Sequence, residues 1–138
     1  MGINREIESL LSQYFNKVEV KNFYNNLFSS DGNYDKADIP VNMIDKAQLN
    51  AEIPIGMKER ELINHVTTFA ELKLPKPDYL NLLLELARLT TFGGEISIAA
   101  ELCEDVISKC KNDDSLLKYI ADAYLSLARI AWSQAYWD

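Results

Sequence analysis

His65 is the only histidine of the chain, and Glu61 stands one helical turn before it, so the two could share a face. A zinc or di-iron centre would need several more ligands of this kind. No second histidine exists and no cysteine lies nearby, so His65, beside Leu62, Val66 and Phe69, reads as a partly buried structural residue. Cys103 and Cys110 are seven apart, about 10 Å along a helix, which is too far for a disulfide. They are expected to be buried thiols in a reducing compartment. Asp31, Asn33 and Asp35 alternate like the first ligands of a calcium loop, but Lys36 replaces the glycine and Asn42 the bidentate glutamate. Calcium binding is therefore not expected. Glu101 with Glu104 or Asp105 could pair carboxylates for acid–base work, yet they ride a helix whose other face is apolar, the pattern of a solvated surface. No G-x-S-x-G, phosphate-cradling glycine loop or Cys–His pairing is present, and Gly93-Gly94 is a lone pair between helices. The expectation is a protein that is not an enzyme, with no metal and no cofactor.

The composition agrees with a recognition role. At 138 residues, 48% hydrophobic and 25% charged, the chain can bury a core without staples. A net charge of −7 argues against nucleic acid, which selects a basic face, and against an anionic membrane surface. The start MGINREIESL lacks a signal-peptide apolar run, and Glu6 stands where a myristoylation motif wants Ser or Thr. A cytoplasmic location is expected.

Glycine and proline are scarce, which favours helices, and the apolar residues recur at spacings of 3 and 4. Helices are predicted over 3–16 (Ile7, Leu10, Leu11, Tyr14 inward) and 19–29 (Val20, Phe23, Leu27, Phe28 inward). From 31 to 56 the periodicity is lost, with VNMIDKAQL as a helical piece inside it. A helix follows from Met57, with Leu62, Val66, Phe69 and Leu72 or Lys73 as its stripe, and LPKPD ends it. Further helices are predicted over 78–92, 95–111 and 115–134, the last with Leu117, Ile120, Tyr124, Leu127 and Ala131 inward. No segment alternates at period two, so the fold class is all-α. The chain reads as a single helical domain, 1–138, made of an N-terminal hairpin (1–30), the irregular segment (31–56) and a helical stack (57–138).

LELAR at 84–88 returns as LSLAR at 125–129, an offset of 41. In that register Leu83 meets Tyr124, Leu86 meets Leu127, Ala87 meets Ala128 and Ile96 meets Trp137. Tyr124, Leu127, Ala128, Ala135 and Trp137 fall in an order that resembles the first helix and turn of the tetratricopeptide repeat family. Leu83, Leu86, Ala87, Gly94, Ile96 and Ala99 repeat it, with Cys103 at a later aromatic position. The resemblance covers roughly 79–138. The family's period is 34, so an offset of 41 asks for helices about two turns longer. Thr90, Ala131 and Lys111 also depart from the pattern.

The resemblance implies antiparallel helix hairpins stacked as a fragment of a right-handed solenoid, with the last repeat cut short after Trp137-Asp138. It also implies a concave groove lined by first-helix residues: Asn81, Leu84, Arg88 and Thr91 from one unit, Asp122, Leu125, Arg129 and Trp132 from the next. Arg88 and Arg129 would grip carboxylates, and Leu84, Leu125 and Trp132 would take apolar side chains. The plainer reading of the arginines is pairing with Glu85 or Asp122, or solvation. The family's chaperone-binding members carry Lys where Leu84 and Leu125 stand and Asn where Arg88 stands, so chaperone tails are disfavoured. The function this implies is a non-enzymatic scaffold that binds a protein or peptide segment. Two alternatives stay open: a self-association domain using Trp132, Tyr136 and Trp137, and a regulatory helical domain of a larger protein. Those aromatics either fold back on the core or form an apolar edge.

Overall fold

A computed structural model describes residues 3–28 and 52–137, with side chains as far as residue 132. Among these residues the regular structure is entirely helical. Most of the segment 31–56, including VNMIDKAQL and the calcium-like stretch, lies outside them, as do the side chains of Ala135, Tyr136 and Trp137. The chain divides into two compact units, Met1–Lys73 and Leu74–Asp138. The division falls after the helix that the sequence had assigned to the C-terminal stack.

The first unit holds α1 (Asn4–Tyr14), α2 (Lys17–Asn26) and α3 (Glu59–Lys73). α1 buries Ile7, Leu10 and Leu11, the predicted stripe. α2 starts two residues before its predicted position because Asn16 and Glu19 form a capping box. Asn16 Oδ1 accepts from the Glu19 amide at 2.9 Å, and the Asn16 amide donates to Glu19 Oε1 at 3.1 Å. α2 ends at Asn26, so Phe28 lies past the helix and is 58% exposed instead of inward. α3 buries Leu62, Val66 and Phe69 as expected, and also Ile63 and Ala70. Leu72 and Lys73 are exposed, since the last turn runs past the ring cluster that the helix covers. That cluster joins Phe69 to Phe15 at 4.6 Å and to Phe23 at 5.1 Å between ring centroids, distances at which aromatic pairs attract. His65 is half-buried on the edge of this stripe.

The second unit holds α4 (Lys76–Phe92), α5 (Ile96–Cys110), a 3-10 turn (Asp114–Leu116) and α6 (Leu117–Trp137). Pro75 caps α4 and Pro77 sits in its first turn, where a missing N–H costs nothing. Leu80, Leu82, Leu83 and Leu86 are fully buried, each contributing about 1.5–3 kcal/mol. α4 stops in a Schellman turn: the Glu95 amide donates to Thr90 O at 2.8 Å and the Gly94 amide to Thr91 O at 3.1 Å. Gly94 holds φ +84°, a conformation that a side chain would strain. α5 packs against both α4 and α6, and α4 also touches α6. Short connections turn successive helices antiparallel, so α4 and α6 run the same way.

α6 presents a different face from the one predicted. Tyr119, Ala123 and Ile130 are buried, as is Leu116 of the preceding turn, whereas Leu117 is 57% and Tyr124 58% exposed, and Ala131 is exposed too. The inward face is turned by one residue, about 100°. Almost every position of α6 outside Lys118, Asp122, Ser126 and Arg129 is apolar up to Ile130, so two stripes have helical spacing. Packing on α5 selects the stripe with the small Ala123. The change also splits the 41-residue register. Leu83 and Ala87 are buried, but their counterparts Tyr124 and Ala128 are exposed.

Candidate functional site

A groove runs between α4 and α6, enclosing about 590 Å³. Asn81, Leu84, Arg88 and Thr91 line it from α4, and Asp122, Leu125 and Arg129 line it from α6. These are seven of the eight positions placed in a groove by the sequence. The eighth, Trp132, is not on the wall; it is 72% exposed and does not fold back on the core.

The helical period explains why the seven converge. Asn81, Leu84, Arg88 and Thr91 are spaced 3, 4 and 3 along α4, and Asp122, Leu125 and Arg129 are spaced 3 and 4 along α6. Each set is one stripe, and each flanks the buried stripe of its helix. Because the helices run parallel, the walls match in order. Asn81 and Asp122 stand at one end, Leu84 and Leu125 in the middle, and Arg88 and Arg129 at the other end. Leu125 is 50% exposed in the free protein, so an apolar surface is available at the centre.

Four lining residues were not anticipated: Glu85, Ala87, Phe92 and Ser126. Glu85 is the consequential one. Arg88 Nη2 donates to Glu85 Oε1 at 2.8 Å, an i,i+3 pair on a single helix. The spacing alone signals this pair. Its side chains are 63% and 39% exposed, so it contributes under about 1 kcal/mol. Phe92 is 83% exposed at the C-terminal end of α4. Ser126 also faces Cys103 of α5 and pulls its thiol's ionisation down against the effect of burial.

Thr91 Oγ1 donates to Ala87 O at 2.7 Å, and the buried Thr90 Oγ1 donates to Leu86 O at 2.9 Å. These bonds satisfy both hydroxyls within the last turns of α4, so Thr90 needs no aromatic ring in its place. Cys103 and Cys110 are free, buried thiols, and burial pushes both above the ordinary thiol range. Neither lines the groove.

The groove presents two guanidiniums, two carboxylates, an amide and paired leucines on a concave surface. Among the described residues no group of three His, Cys, Asp or Glu side chains could hold a metal ion. No helix among them is long and apolar enough to cross a membrane. No protein-family model, curated protein or solved structure matches the chain.

Proposed function

We propose that the Leu74–Asp138 unit is a tetratricopeptide-like protein-interaction module whose α4–α6 groove takes a segment of another protein. The observation that carries this reading is the convergence of seven spaced residues on one groove with a half-exposed leucine at its centre. Sites for ligands are concave, of 300–1,000 Å³, and pair an apolar floor with a few polar groups, and this groove has each property. The core of α6 departs from the family's register, so the resemblance supports the groove more than the packing behind it. The role is binding rather than catalysis, without a cofactor. Two buried free thiols and a net charge of −7 suit a cytoplasmic protein with a protein partner, not a nucleic acid or membrane.

The test is affinity capture from the source cell's lysate, comparing the wild type with Leu84→Asp/Leu125→Asp of matched melting temperature. A protein retained by the wild type and lost from the variant is the expected result. Equal retention by both would move the binding site elsewhere on the chain.

One observation favours a second reading, self-association. Leu117, Tyr124 and Trp132 are exposed on α6 together with Ala128 and Ala131, and a helix that is apolar nearly all round is ordinarily covered. This face lies beside the groove and not within it. Solution mass as a function of concentration tests it.

A further inference from the structure

The charges of the groove are not equivalent. Arg88 is already engaged by Glu85 on its own helix. Arg129 and Asp122 form no ion pair with any described residue. They stand seven residues apart on α6, two turns or about 10 Å, with Leu125 between them and Leu84 on the opposite wall. Read along its length, the groove presents a carboxylate, a pair of leucines and a guanidinium.

Resting on the groove reading above, we infer that the partner is a short extended segment carrying a cationic side chain and a carboxylate about three residues apart, with an aliphatic residue between. The cation meets Asp122 and the carboxylate meets Arg129 on the α6 wall, and the aliphatic group, about 120° round the chain from them, turns to Leu84 on the α4 wall. Three residues of polyproline-II-like chain span about 9 Å and return side chains to the same side, matching the separation of the two charges. Either chain direction satisfies the pattern.

A helical partner would have to space its two charges about seven residues apart to reach both Asp122 and Arg129, a spacing the peptide selection distinguishes. Another occupant fits worse. A purely acidic tail would use both arginines, but the walls carry Glu85 and Asp122 against Arg88 and Arg129, so no net positive field draws it in. It would also have to displace Glu85 from Arg88 and leave Asp122 facing like charge.

A random nonapeptide display library, selected on the wild type and counter-selected on Leu84→Asp/Leu125→Asp, supplies the probes. The expected winners carry a base and an acid three residues apart around an apolar residue. Fluorescence anisotropy with the best labelled peptide should then show about three- to tenfold weaker binding for Asp122→Lys and for Arg129→Glu, the scale of partly exposed ion pairs. Changing the peptide's acid to lysine should rescue Arg129→Glu. Winners that are acidic only, or whose affinity ignores both charge reversals while still requiring the leucines, would overturn the charge pattern and leave the groove standing. No enrichment over the double-leucine variant would overturn the groove reading itself.

Discussion

Tyr24 is 1% exposed against Phe23, and its hydroxyl donates to Asn4 Oδ1 at 3.2 Å. Burial foremost, and the Glu8 carboxylate second, hold its ionisation well above the ordinary value of 10.0. A raised folded-state value stabilises the fold fully below the unfolded value and is lost as pH rises through and beyond it. The first unit should therefore lose about 1 kcal/mol more than a Tyr24→Phe variant between pH 9 and pH 11, measured by urea unfolding. Parallel pH profiles would show that Tyr24 ionises freely in the folded state. At this scale the sequence was informative about side chains in the middle of α1 and α3 and poor at the ends of α2 and α3. Leu10 and Phe69 were placed correctly, whereas Phe28 and Leu72 were not. End residues share the apolar type but lie past the neighbour that would cover them, and composition does not record where a neighbour stops.

Element boundaries were legible where a local bond sets them. The Schellman turn after α4 falls at Gly93-Gly94, and the structure gives the two glycines unequal roles. Gly94 holds φ +84° with open space around it, whereas Gly93 has φ −79° and would place a Cβ in ordinary contact with Leu89 O at 3.5 Å. Gly94→Ala should cost about 1 kcal/mol from backbone strain, and Gly93→Ala much less. Chemical denaturation of the two variants checks this, and equal losses would show that strain at position 94 is not what matters. The Asn16–Glu19 box could equally have been read as N-x-x-E, because Asn caps as well as Ser. The face of α6 could not be read, since a helix with few polar residues offers two stripes of the same period. The resemblance, not the polar pattern, pointed to Asp122, Leu125 and Arg129 on α6, and it passed over Ser126, which lines the same groove.

For the whole molecule, exposed apolar surface on α6 competes with charge. A net charge of −7 on a 15.7 kDa chain disfavours close approach of two copies, and Leu117, Tyr124 and Trp132 favour it. Short-range apolar burial should prevail once salt screens the repulsion. Light scattering is expected to give a mass above 15.7 kDa that grows with concentration and salt, and Tyr124→Glu should return it to the monomer. A monomer at every concentration and salt would leave α6 with an apolar face that needs no cover. Because Tyr124 does not line the groove, peptide binding should survive that substitution.

The sequence by itself determined the helical class, most helix bounds to within two residues and the buried free thiols. These follow from period, capping and turn chemistry, which are local properties of the chain. Tertiary structure alone decided that α3 packs with Phe15 and Phe23, that Arg88 is held by Glu85, and which side of α6 is core. Each of those depends on which surfaces come together, and a chain rich in interchangeable apolar residues leaves that choice to packing.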